Sequence, residues 1–281
     1  MPAILLQVFA DTAEISLIVF IMMIVVDFFD VQSSGKIKRI VSKTRWNEYV
    51  TASFLGSTPG CLGSYANVSM YMHGFLGLGA IASGMIATSG DEAFVMLVQF
   101  PEQAVVLFTI LFFIAIPLGA FFDFFVKVFK IRSSEKCTMH VIHKQDHIRN
   151  YRHYFTVHIW QHIFKKHIVR IILWTFFSLL FIKISLNYFA IDMFVRENIG
   201  IVLLSSALIG LIPQSGPHLV FVSLFATGSI PFSVLLTSSI SQDGHGMLPM
   251  LSYSLKDSIL VKVYNFIAAL IIGFIAYLIG F

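Results

Sequence analysis

Asp91 and Asp243 each close a long stretch without Asp, Glu, Lys or Arg, residues 49–90 and 198–242. Each stretch follows a glutamate, Glu48 in one case and Glu197 in the other. Glu92 stands beside Asp91, and His245 lies two residues after Asp243. Carboxylate oxygens with one imidazole suit Mn²⁺, Mg²⁺, Fe²⁺ or Zn²⁺, whereas soft metals want thiolates. A carboxylate at membrane depth costs roughly 3 kcal/mol and is rare there without a partner or a wet cavity. Asp91, Asp243, Glu92 and His245 are therefore the candidate metal ligands. The competing reading makes each aspartate the cap of a short helix and His245 a neutral histidine packed in a glycine-rich turn.

The same stretches carry Gly56-Ser57-Thr58-Pro59-Gly60 and Gly210-Leu211-Ile212-Pro213-Gln214. Proline donates no backbone hydrogen bond and frees a carbonyl nearby. Freed carbonyls and half-helix ends bind ions in transporters. Gln214, Ser215 and Asn67 are candidate substrate-binding residues, and Ser57, Thr58 and His218 add polar side chains. A plain kink with tight packing is the alternative. Met70, Met72 and Met247 read as core filler rather than thioether ligands, and the neighbouring His73 is an equally weak ligand candidate.

Such residues need elements that hold them in lipid. The chain has 281 residues, 57% hydrophobic and 12% charged, with mean hydropathy +0.83. Soluble domains carry about 25% charged residues, so an integral membrane protein is expected. The apolar runs are long and continuous, unlike the short alternating strands of a barrel. The expected fold class is all-α, with broken or re-entrant helices in two inverted-topology repeats. Two cysteines, Cys61 and Cys137, are too few for a disulfide framework.

Ile4–Phe29, Val105–Phe122, Ile171–Phe189 and Ile259–Phe281 are each long enough to span a bilayer. The first lacks a basic start and a cleavage site, so it reads as a retained helix rather than a leader. Lys36, Lys38, Arg39, Lys43 and Arg45 place the following loop on the cytoplasmic side, and Lys127–Arg170, with ten Lys and Arg, follows the same rule. The chain divides into a first repeat (1–130), a basic, His-rich cytoplasmic loop (131–167) and a second repeat (168–281). The first unit then crosses an odd number of times, and the second runs the opposite way. Both termini are expected outside an inner-membrane, multi-pass protein, with the binding site near mid-bilayer. His140, His143, His147, His158 and His162 recur at helical spacing among basic and aromatic residues. That pattern fits a helix lying on an anionic leaflet; a metal-sensing loop is the alternative.

No HExxH, GxSxG, CxxC or P-loop motif occurs, so neither an enzyme nor ATP-driven transport is expected. The expected partners are a metal ion, the bilayer and, as an option, a second copy in a homodimer. Nucleic acid is not among them, because the positive charge sits in loops that orient the chain. No cofactor is expected, the divalent metal being the transported substrate.

Gly210-Leu-Ile-Pro-Gln-Ser-Gly-Pro-His218, Ser241-Gln-Asp-Gly-His-Gly-Met-Leu-Pro249 and Ser89-Gly-Asp-Glu-Ala-Phe94 resemble motifs of the ten-helix heavy-metal exporters. That family is also labelled arsenic efflux proteins or manganese transporters. The resemblance covers most of the chain; the turn Pro59-Gly-Cys-Leu-Gly63 departs from it by lacking the second proline. It implies export of a metal, with Asp91, Glu92, Asp243 and His245 on the family's polar motifs. The donor set favours a divalent cation, manganese first, moved by proton- or potential-coupled alternating access. An arsenite or oxyanion permease and a membrane enzyme acting on lipid are the alternatives.

Overall fold

The computed structural model describes residues 5–13, 44–72, 74–131, 197–213 and 216–281, with single positions at 16, 17, 20, 21, 169, 172, 173, 176, 177, 179, 180, 184 and 195. Regular structure among them is helical throughout. After helical residues 5–13, the first half holds α1 (Arg45–Gly56), α2 (Leu62–Met72), α3 (Leu78–Ile86), α4 (Glu92–Gln99) and α5 (Pro101–Val128). The second half holds α6 (Ile199–Gly210), α7 (Leu219–Ala226) preceded by a 3₁₀ turn Gly216–His218, and α8 (Phe232–Ser241). It ends with a 3₁₀ turn Gly244–Gly246, α9 (Met247–Tyr253) and α10 (Leu255–Ile279).

The two long helices, α5 with 28 residues and α10 with 25, are long and apolar enough to cross a membrane. At 1.5 Å per residue both exceed a hydrocarbon core of about 30 Å. Pro101 opens α5 at its first turn, where its missing N–H costs nothing. Their faces are arranged for lipid. On α10 the buried side carries Asp257, Ser258, Asn265, Ala268, Ala269 and Gly273, while Ile259, Val263, Ile267, Ile271 and Phe274 face outward. A helix on a water-soluble protein presents the opposite pattern. Small and polar residues inward, with aliphatics outward, is how helices associate in a bilayer. The described residues are therefore all-helical and consistent with a membrane-embedded protein. The expected spans 4–29 and 171–189 lie mostly outside the described residues, as does the loop 131–167.

At the centre lie two short buried helices. All nine residues of α3 are buried, as are Ser233–Ser241 of α8. Each is packed between a helix that ends at a break (α1 or α6) and a long helix (α5 or α10). The correspondence runs at a constant spacing of 154 residues. Gly56 abuts the Gly84 carbonyl and Ala87; Gly210 abuts Ser241. Gly119 abuts Ser83; Gly273 abuts Thr237. Gly74 and Gly228 both have φ 73°, and Gly90 and Gly244 both have φ 59°, conformations that glycine alone adopts readily.

The two halves meet where their matching turns cross. A Cβ on Gly244 would sit 3.2 Å from Thr88 Cγ2 and 4.0 Å from the Gly90 Cα. Gln242 Nε2 donates to the Thr88 carbonyl at 3.3 Å. In both contacts a residue touches its counterpart 154 positions away. Tyr71 donates to Asp257 Oδ2 at 2.8 Å, and Phe122 stacks on Tyr264 at 4.3 Å.

Candidate functional site

The breaks are real interruptions rather than kinks. α1 stops at Gly56, α2 starts only at Leu62, and Gly60 N donates instead to the Gly90 carbonyl at 3.0 Å. Pro59 leaves the Leu55 carbonyl without its helical donor. Thr58 supplies the replacement, through its Oγ1 at 2.6 Å and its N–H at 3.2 Å. The first break is thus closed on itself. At the second break the Leu211 carbonyl, an orphan of the α6 C-terminus, accepts a hydrogen bond from Lys262 Nζ at 2.9 Å.

Asp243 lies directly after α8 and is fully buried. Its Oδ2 pairs with Lys262 Nζ at 2.8 Å, and its Oδ1 accepts from Asn265 Nδ2 at 2.8 Å. Lys262 and Asn265 lie on α10, close to one turn apart. The lysine thus stands in a cradle of one carboxylate and one helix-end carbonyl, both negative ends. His218, also buried, places Nδ1 3.1 Å from Ser238 Oγ. No hydrogen bond of good geometry reaches its Nε2.

Asp91 and Glu92 are buried at the start of α4. Asp91 makes no side-chain cap to its helix; its Oδ1 accepts the Cys61 thiol at 2.9 Å. Asp243 likewise accepts from α10 rather than capping a turn. Helix capping therefore does not account for either carboxylate. Asn67 is buried, and its Nδ2 donates to the Ala52 carbonyl at 2.8 Å, stapling α2 to α1. Gln214, Ser215 and the His245 side chain lie outside the described residues, as do His73 and the loop histidines. Among the described residues no three His, Cys, Asp or Glu side chains form a metal-holding group. Met70 and Met247 are packed in an apolar cluster with Met85 and Val261, as core filler should be.

Asp91 and Asp243 each close an uncharged stretch, as if equivalent, yet they do not occupy corresponding positions. The register shown by Gly90 and Gly244 sets Asp91 against His245 and Asp243 against Ser89. The aspartates flank equivalent glycines from opposite sides. The chemistry is accordingly lopsided: Lys262 and Asn265 answer to Phe108 and Leu111, and His218 answers to Ser64.

Lys262, Asn265 and Asp257 went unnoticed in the sequence. The signal was there, since polar residues at 258, 262 and 265, with Asp257 beside the first, recur every three to four positions on a largely apolar helix. Asp123 is another. Its Oδ1 accepts from Gly79 N at 2.8 Å and its Oδ2 from Tyr49 at 2.7 Å, while Glu48 accepts from Gly77 N at 2.9 Å. Two acids from neighbouring helices thus serve the α3 N-terminus, where Gly77 has no side chain to cap it.

No curated protein and no solved structure matches the chain. A family model does match, over residues 2–176 and 137–280 in two overlapping segments that together take in nearly the whole chain. Its description suits a membrane-embedded helical protein with charge buried at helix breaks: the chain belongs to the family described as "Putative, 10TM heavy-metal exporter".

Proposed function

We propose that this protein exports a divalent metal cation, manganese first, by alternating access between two inverted-topology halves, coupled to protons or to the membrane potential. The single observation that carries this reading is the cradle at the second break. Asp243 Oδ2 and the Leu211 carbonyl already grasp a positive group inside the protein. Oxygen donors of this kind suit hard divalent cations. Broken helices that meet at a pseudo-two-fold axis are where such transporters bind their ions. Asp243 is the principal ligand, with the Leu211 carbonyl and His218 Nε2 alongside. Asp91 and Glu92 complete the path from the other half, and His245 follows Asp243 in the same turn. The one buried cysteine among the described residues, Cys61, is too little thiolate to favour arsenite over a divalent cation.

The test is efflux from proteoliposomes at two pH values with a panel of competing metals and arsenite. Movement of Mn²⁺, competed by other hard divalent cations and lost in Asp243→Ala, is the expected result. Liposomes that move arsenite but no divalent metal would overturn the choice of substrate. Conversion of lipid without any ion flux would overturn transport itself.

A further inference from the structure

We propose that Lys262 is a tethered substitute for the transported cation, holding the site neutral whenever the metal is absent. The inference rests on the metal-export reading and adds what happens on the empty leg of the cycle. Three observations carry it. The ammonium contacts the two strongest acceptors at the second break, Asp243 Oδ2 at 2.8 Å and the Leu211 carbonyl at 2.9 Å. It comes from α10, a different element from either acceptor, on a long unbranched stem that can withdraw without moving the backbone. The aspartate is fully buried and the lysine largely so, their side chains 0% and 13% exposed.

A carrier must return empty after releasing its substrate. An unpaired Asp243 would make that return costly, because an uncompensated carboxylate is expensive in a low-dielectric interior. With Lys262 in the cradle, the empty site carries no net charge. With a metal in the cradle, the ammonium is displaced and repelled. Metal and lysine therefore occupy the site in alternation. Asn265, which donates to the other carboxylate oxygen at 2.8 Å, keeps the aspartate oriented through both states. At the matching position of the first half stands the uncharged Phe108.

The experiment compares two fluxes in proteoliposomes at zero membrane potential. Net efflux into metal-free medium requires the empty carrier to return; exchange of internal for external Mn²⁺ does not. In Lys262→Gln, whose neutral amide still donates to oxygen, the ratio of net efflux to exchange should fall about a hundredfold, the rate equivalent of moving one bare carboxylate. Lys262→Arg should restore the ratio. An unchanged ratio in Lys262→Gln, with both fluxes lowered together, would overturn the inference and leave metal export standing. If the wild-type protein moves no divalent metal in either mode, the export reading itself fails. Should Lys262→Gln not fold, Lys262→Met goes through the same two assays with the same deciding ratio.

Discussion

At the scale of residues, the site is a buried carboxylate answered by a partly buried ammonium. A buried ion pair is weak evidence for stability, because desolvation offsets the attraction, but breaking it exposes the remaining charge to the full cost. Lys262→Ala should therefore destabilise the protein by about 3–5 kcal/mol, read as a lower melting temperature in detergent. Adding Asp243→Asn to that variant should recover most of the loss, a coupling that a double-mutant cycle measures directly. Function separates from stability at the same position. Asp243→Ala or Asp91→Ala, expressed at wild-type level, should abolish protection of cells against excess Mn²⁺. Growth equal to wild type in both would remove these carboxylates from the transport path.

At the scale of elements, small residues set how near the helices come. In a bilayer no hydrophobic force drives helix against helix, so close approach and hydrogen bonding must do it. Gly273 on α10 is a case in point. A Cβ there would meet the Thr237 hydroxyl of α8, and that hydroxyl is already committed to the Ser233 carbonyl at 2.7 Å. Gly273→Val should cost roughly 1–3 kcal/mol through overpacking. Gly200 on α6 has nothing within 4 Å of its notional Cβ, so Gly200→Ala in the same melting assay should leave stability unchanged or slightly raised. Equal losses in the two would mean that the α8–α10 approach is not what makes position 273 sensitive.

At the scale of the whole molecule, two halves of like build are tied by polar bonds between their helices. The Tyr71–Asp257 bond runs from α2 to α10 and is buried. Tyr71→Phe leaves Asp257 short of a donor and should cost about 1–3 kcal/mol, again visible in the melt. The inverted arrangement has its own check. If both basic loops face the cytoplasm, a membrane-impermeant maleimide labels the native Cys137 only after cells are permeabilised. A cysteine placed at position 281 should then label in intact cells. Labelling of both from the same side would rule out oppositely threaded halves.

Much of this was legible from the chain itself. Composition announced a membrane protein, because 12% charged residues cannot clothe a surface in water. Gly56-to-Pro59 and Gly210-to-Pro213 marked the breaks, because proline removes a helical donor whatever surrounds it. The family was readable from short polar motifs, and the burial of Asp91 and Asp243 from the uncharged stretches they close. Tertiary structure alone decided what those carboxylates meet. Their apparent equivalence followed from where each uncharged run stops, and the backbone register of Gly90 and Gly244 is shifted from it. Lys262 and Asn265 reach Asp243 from a helix that begins a dozen residues later. Which side chains converge on one point depends on how α8 and α10 cross, a relation between elements that no local pattern encodes.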